Sequence, residues 1–258
     1  MKWSIAAGLL LLIVGLCLII PGPAHADGED IIVNPTSGLD TTEFGDTATF
    51  TVVLNASPNV SLNSTVIIGL SSDDTSEGTV SPASITFTTA DWNISQTVTV
   101  TGVNDDVQDG DIAYTIQTGP ANSTDGVYNT MDADDVSVTN ADNDTAGVSV
   151  IPASGLSTTE AGGIAQFTVK LNTQPTASVV IGLSSSDTTE GTVSPSSLTF
   201  TTSNWNTWQT VTVTGVNDAV DDGDVVYTII TADAASSDSN YNGKTASDVS
   251  VTNIDDDT

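Results

Sequence analysis

The strongest constraint on the fold of this chain is that it is written twice. SITFTTADWNISQTVTVTGVND at 84–105 returns as SLTFTTSNWNTWQTVTVTGVND at 197–218. DGDIAYTI at 109–116 returns as DGDVVYTI at 222–229, and VSVTNADNDT at 136–145 as VSVTNIDDDT at 249–258. Self-similarity at a sustained spacing marks tandem copies of one structural unit. Glu43 and Glu160 stand 117 residues apart, whereas Asp105 and Asp218 stand 113 apart. The difference falls in the loop Ser57–Ser64, a surface connection of the kind that tolerates insertion.

Each copy reads as strands and turns. Ala48, Phe50, Val52 and Leu54 alternate with Thr47, Thr49, Thr51 and Val53, and Ala165, Phe167, Val169 and Leu171 repeat the pattern. Val98 and Val100, like Val211 and Val213, alternate with threonines. Period-two alternation in Val/Thr-rich runs indicates half-buried strands, and Gly38, Gly45, Pro58, Gly78, Pro82, Gly102, Gly110 and Gly126 supply the turns between them. The first copy is expected to hold strands near 31–33, 47–54, 65–71, 84–88, 95–102, 111–117 and 134–139. About seven short strands at this spacing suit an immunoglobulin-like β-sandwich. The expected fold class is all-β, with two tandem immunoglobulin-like sandwiches at 27–145 and 146–258. Asn140 to Ala146 is the only linker between them.

Residues 1–26 are a different kind of segment. Lys2 begins it, Leu9 to Ile20 is an apolar run, and Ala24-His25-Ala26 ends it with small residues at the positions a signal peptidase reads. The run is shorter than the ~20 residues a spanning helix needs. Cleavage and export are therefore expected, with the mature protein secreted, extracellular or on the cell surface. Cleavage would remove the single Cys (Cys17), the single His (His25) and one of 3 basic residues, leaving Lys170 and Lys244 against 33 acids. A chain with no cysteine has no disulfide framework, so each copy must fold on its apolar core. Such a charge excludes nucleic acid as a partner, because phosphate binding needs Lys and Arg. It also argues against anionic membranes and favours cations.

The acids recur in turns. In the first copy Glu43 precedes the second expected strand, and Asp73, Asp74 and Glu77 follow the third. Asp105, Asp106, Asp109 and Asp111 precede the sixth, and Asp142 and Asp144 follow the last. In an antiparallel sandwich the turns after strands three and five and the exit of strand seven converge on one pole, and Glu43 joins them if it comes from the start of strand two. Two bare carboxylates ~5 Å apart repel by roughly 3 kcal/mol at an effective dielectric near 20. Lysine is too scarce to neutralise them. Ca²⁺ fits best, since it takes six to eight oxygens in loose geometry. Mg²⁺ needs a tighter octahedron, and zinc prefers His and Cys. A solvated acidic surface is the alternative, yet the strand positions facing outward carry Thr and Ser rather than acids.

On these residues the chain resembles the Calx-beta family. The resemblance is carried by TTEFGDTATFTVVL at 41–54, SSDDTSEGTV at 71–80, ITFTTADWNISQTVTVTGVNDD at 85–106, DGDIAYTI at 109–116 and VTNADND at 138–144. The second copy carries TTEAGGIAQFTVKL at 158–171, LTFTTSNWNTWQTVTVTGVND at 198–218 and NIDDD at 253–257. The resemblance implies calcium at one pole of each sandwich. The implied ligands are Glu43, Asp74, Asp105, Asp106, Asp109, Asp111, Asp142 and Asp144 in the first copy. In the second they are Glu160, Asp187, Asp218, Asp222, Asp224, Asp255, Asp256 and Asp257. Ala219 stands where Asp106 does, and Asn143 interrupts the first terminal acidic triplet. With fewer charges than a full multi-ion cluster, one or two ions per copy are expected.

Catalysis is not expected, because thiol chemistry and the usual triads need Cys or His. Trp92 and Trp205 occupy equivalent places and should pack at a sandwich edge. Trp208 replaces Ser95, and beside Trp205 it offers a surface for a sugar ring. Tyr128 and Tyr241 should cover the core near the last strand. The sequence thus leads to a calcium-binding structural or adhesion protein, with calcium ions as partner and surface proteins or glycans as further partner classes. A carbohydrate-binding module and a passive acidic spacer are the alternatives.

Overall fold

Threonine–valine alternation places the two long central strands of each sandwich. The computed structural model describes residues 28–258; the expected signal segment, 1–26, lies outside them. In the first copy the strands are β1 (Ile31–Asn34), β2 (Leu39–Thr42), β3 (Thr47–Leu54), β4 (Val66–Ser72) and β5 (Gly78–Ser81). β6 (Ser84–Phe87), β7 (Gln96–Gly102), β8 (Ile112–Thr118), β9 (Asn122–Ser123) and β10 (Val136–Ala141) complete it. One sheet has the order β1-β3-β7-β5, and the other β2-β10-β8-β4-β6 with β9 beside β4. β3 pairs antiparallel with β7, and Phe50 stands opposite Val98. Their inward residues Phe50, Val52, Val98 and Val100 meet Ile68, Phe87, Ile116 and Val138 from the facing sheet in one buried core.

The second copy repeats the plan. Its strands are β11 (Val148–Ile151), β12 (Leu156–Thr159), β13 (Ile164–Leu171), β14 (Val179–Ser185) and β15 (Gly191–Ser194). β16 (Ser197–Phe200), β17 (Gln209–Gly215), β18 (Val225–Thr231), β19 (Ala235–Ser236) and β20 (Val249–Ile254) follow. The sheet orders are β11-β13-β17-β15 and β12-β20-β18-β14-β16. The chain is therefore all-β, with two tandem immunoglobulin-like β-sandwiches. The one short helical turn among the described residues, Val60–Leu62, lies in the loop that the second copy shortens. Among the described residues no helix is long and apolar enough to cross a membrane.

The seven expected strands of the first copy are present, and β2, β5 and β9 are additional. LDTT, GTVS and NS are too short and polar to show a period-two pattern. β2 matters most, because it pairs in parallel with β10. Parallel neighbours leave the sheet at the same end. Glu43 follows β2 and the acids 142–144 follow β10, so both arrive at one pole, where the Glu43 amide donates to the Ala141 carbonyl at 3.1 Å.

The large aromatic residues seal the cores. Tyr128 and Tyr241 are buried. The Tyr128 hydroxyl donates to the Ala56 carbonyl at 2.8 Å, and burial pushes its pKa up to about 12. Trp92 and Trp205 are partly buried against the two cores. Trp208 is 40% exposed, with the Lys170 ammonium 5.1 Å from its ring centre. Trp205 and Trp208 therefore play different parts, one as core cover and one as the aromatic member of a surface cation–π pair.

The copies meet through the acidic loop of the first. The Ala146 amide of the linker donates to Gln108 Oε1 at 2.7 Å. From the second sandwich, the Gln174 amide donates to the Asp106 carbonyl at 2.6 Å, and Asn240 Nδ2 donates to the Gln108 carbonyl at 2.5 Å.

Candidate metal centre

The acidic pole of the first copy is assembled from four segments. Glu43 comes from the end of β2 and is 4% exposed; Glu77 comes from the turn before β5 and is 7% exposed. Asp105 and Asp109 lie between β7 and β8, and Asp142 and Asp144 follow β10. Carboxylate oxygens lie within 4.8 Å of one another in three groups: Glu43–Asp109–Asp142, Glu43–Asp105–Asp144 and Glu77–Asp105–Asp109. Each group shares one residue with each of the others.

Backbone amides hold these side chains in place. Glu43 Oε2 accepts from the Asn143 amide at 3.0 Å. Asp105 Oδ1 accepts from the Val107 amide at 2.7 Å. Asp142 is held at both oxygens, by the Gly110 amide at 2.8 Å and the Asp144 amide at 2.7 Å. Asn140 Nδ2 donates to Glu77 Oε2 at 3.3 Å.

Desolvation and like charge act on four carboxyls of this pole. Burial pushes Glu43 above its ordinary value, and repulsion from Asp105, Asp142 and Asp144 adds to the push, against the bond from Asn143. Burial likewise raises Glu77, opposed by its bond from Asn140 and reinforced by Asp109, Asp74 and Asp105. Asp109 is raised by burial and then by Asp105 and Asp142. Asp144 is raised by burial and then by Asp142, Asp106, Asp105 and Asp109. Desolvation and like charge both oppose ionisation.

The second copy gathers the corresponding residues in two groups, Glu160–Asp255–Asp257 and Glu190–Asp218–Asp222, again within 4.8 Å. Glu160 is 3% and Glu190 5% exposed. Burial raises Glu160, with Asp255, Asp218 and Asp257 adding repulsion. Asp257 is raised by burial and then by Asp255, Asp256, Asp218 and Asp221.

Of the ligands implied by the family resemblance, the pole brings together Glu43, Asp105, Asp109, Asp142 and Asp144, and in the second copy Glu160, Asp218, Asp222, Asp255 and Asp257. The other implied ligands lie outside these groups. Asp74 Oδ1 caps its own turn, accepting from the Ser76 amide at 3.0 Å and hydroxyl at 2.5 Å, and these bonds hold its pKa low. Asp187 does the same with Thr189. Asp111 and Asp224 accept from the backbone amides of Asp142 and Asp255 and so orient the terminal acids. The Asp106 and Asp256 side chains are exposed beside the groups.

Glu77 and Glu190 join these groups but are not among the ligands that the resemblance implies. The signal was present: SEGTV at 76–80 and TEGTV at 189–193 repeat the glutamate at one register before equivalent strands.

The donor set fits a hard cation that takes oxygen. Every gathered side chain is a carboxylate. Asp144 Oδ2, Glu160 Oε2 and Asp257 Oδ2 are buried with no hydrogen-bond partner. A buried charged oxygen without a partner is costly, and a shared cation relieves that cost. Any two oxygens within 4.8 Å of each other lie within the span of one ion at the ~2.4 Å typical of Ca²⁺.

No family model and no curated protein matches this chain. Among solved structures it is similar to CBD12 from CALX1.2, with 12% identity over 86% of this chain and 98% of that one at a TM-score of 0.36. It is also similar to the calcium binding domain CBD12 of CALX1.1, with 14% identity over 79% and 80% at 0.33. A third is domains 5–6 of the S-layer protein SbsC, with 22% identity over 88% and 97% at 0.25. At these identities the likeness is one of fold alone.

Proposed function

We propose that this chain is a secreted, non-catalytic structural or adhesion protein whose sandwiches bind Ca²⁺ at their acidic poles, and that the ion stiffens the joint between them. The observation that carries the reading is the recurrence, in both copies, of six carboxylates at one pole with a partnerless buried oxygen on the equivalent residues Asp144 and Asp257. Glu43, Glu77, Asp105, Asp109, Asp142 and Asp144 would hold cations in the first copy. Glu160, Glu190, Asp218, Asp222, Asp255 and Asp257 would do so in the second. When bound, calcium supplies positive charge that cancels the repulsion among these groups and lets them pack.

The mechanical consequence follows from the loop 105–109. It carries two of the acids, accepts the linker amide on Gln108 Oε1, and offers the Asp106 and Gln108 carbonyls to the second sandwich. Fixing Asp105 and Asp109 therefore fixes the surface against which the second sandwich rests. Repulsion in the metal-free chain loosens the same surface.

Thermal melting in EDTA and in millimolar calcium tests the reading. With free metal at about 100 times its dissociation constant, the folded state gains about 2.7 kcal/mol, which raises the melting temperature by roughly 10 °C for a domain of this size. An unchanged melting temperature across the two buffers contradicts it.

A further inference from the structure

Beneath each acidic pole runs a buried polar chain that the metal ligands alone do not account for. In the first copy it consists of Tyr114 (3% exposed), Thr41 (0%), Asn140 (1%) and Glu77 (7%). Thr41 Oγ1 donates to Asn140 Oδ1 at 3.0 Å. Its single proton being used there, the Tyr114 hydroxyl at 3.2 Å is the donor to Thr41. Asn140 Nδ2 then donates to Glu77 Oε2 at 3.3 Å and to the Val103 carbonyl at 3.0 Å. Donation thus runs in one direction, from phenol to hydroxyl to amide to carboxylate. The last member accepts, through Glu77 Oε2.

The second copy repeats the chain. Tyr227 and Thr158 lie 3.1 Å apart, and Thr158 Oγ1 donates to Asn253 Oδ1 at 2.9 Å. Asn253 Nδ2 donates to Glu190 Oε2 at 3.3 Å and to the Val216 carbonyl at 3.1 Å. Both copies make room for it with glycine. A Cβ at Gly102 would stand 2.6 Å from Asn140 Oδ1, one at Gly215 would stand 2.5 Å from Asn253 Oδ1, and one at Gly78 or Gly191 would strike the ring of Tyr114 or Tyr227.

Stability alone does not explain this arrangement. Replacing buried ionisable groups by well-packed apolar residues of similar volume is often neutral or stabilising. The chain of bonds does achieve one thing: it fixes the glutamate. Glu77 is held at Oε2 while its carboxylate remains grouped with Asp105 and Asp109, and Glu190 likewise with Asp218 and Asp222. Residues that orient a ligand from behind are worth about 10–100-fold in metal affinity.

We infer that Asn140, Thr41 and Tyr114, with Asn253, Thr158 and Tyr227, are positioning residues that hold Glu77 and Glu190 as cation ligands. The inference rests on the calcium reading above.

Its test uses the full chain, calcium alone as probe, and a background in which the second pole is neutralised by Glu160→Gln and Asp218→Asn. Calorimetric titration then reports the first pole. Thr41→Val removes the hydroxyl and keeps the shape; Thr41→Ser keeps the hydroxyl. The expected result is a roughly tenfold or greater loss of calcium affinity in Thr41→Val and near-full affinity in Thr41→Ser, with both folded in EDTA by circular dichroism. Tyr114→Phe, which deletes only the first donor, should show a smaller loss in the same direction and serves as the measurement if Thr41→Val does not fold. Equal affinity in the unchanged background, Thr41→Val and Tyr114→Phe overturns the inference and leaves the calcium reading standing. Absence of calcium binding in the unsubstituted chain overturns both.

Discussion

The two copies hold the same acids in different states of connection. In the first, three carboxylate groups interlock through Glu43, Asp105 and Asp109; in the second, two groups share no residue. The loop of the first copy is fastened to the linker and the second sandwich through Asp106 and Gln108. Ala219 and Asp221 stand at those positions in the second copy. Gln108 is a neutral acceptor that leaves the adjoining acids to face the pole, whereas Asp221 adds another negative charge near Asp257. The comparison teaches that ligands repeat with the fold, whereas their support depends on what packs behind the loop. The first pole should therefore bind its ions more tightly and pass their effect to its neighbour.

The largest test of that division is to damage one core at a time. Phe50 and Phe167 are 1% exposed at equivalent places. Truncation of either to alanine should cost about 3–5 kcal/mol. Denaturant unfolding should show Phe50→Ala lowering both transitions in calcium, because the second sandwich rests on the first, and only one transition in EDTA. Identical behaviour in the two buffers breaks the proposed link between metal and joint.

Next in size is the metal itself. Glu43→Gln with Asp105→Asn should abolish most of the ~2.7 kcal/mol that saturating calcium provides to its copy. Glu160→Gln with Asp218→Asn should have the smaller effect, read as two separate melting steps by calorimetry. The reverse ranking would mean that interlocking acids repel more than they chelate.

A smaller effect attaches to Gln108→Ala. The loss of one hydrogen bond to the linker amide should cost about 0.5–1.5 kcal/mol and widen the distribution of inter-sandwich distances in calcium, as measured by spin-label pairs. Asp221→Ala should leave that distribution unchanged.

The pH dependence of the metal-free chain sharpens the contrast further. Glu43, Glu77, Asp109 and Asp144 in the first copy, and Glu160 and Asp257 in the second, have folded-state pKa values above their ordinary 4.5 for Glu and 3.8 for Asp. The folded state then holds protons that the unfolded state has released. Stability from these groups is full below the ordinary values and is lost as pH rises through the raised ones. Melting in EDTA should therefore rise as pH falls from 7 toward 4.5, more for the first copy than for the second. In calcium that gain should vanish, since protons and metal compete for the same oxygens.

Much of this was legible in the residues. The repeat gave two equivalent units, and alternation around Phe50 and Phe167 gave their central strands. β2 was not legible, because Leu39-Asp40-Thr41-Thr42 buries only Thr41 fully and shows no apolar period. Its parallel pairing with β10 is a long-range fact, and it is what delivers Glu43 to the pole. The turn acids are legible in the sequence as a recurring set, but which of them approach one another is not. Asp74 and Glu77 lie three residues apart, and only the backbone decides that the aspartate caps its own turn while the glutamate enters the pole. The Tyr114–Thr41–Asn140 chain joins three strands and has no local signature.

The most direct measurement is a calcium titration of the purified chain with mass-based counting of bound ions, beside the same chain carrying Glu43→Gln and Asp105→Asn. The account predicts ions in both copies, with the substituted chain losing those of the first pole and keeping those of the second. A folded chain that binds no calcium at millimolar concentration, with stability following monovalent salt alone, contradicts it.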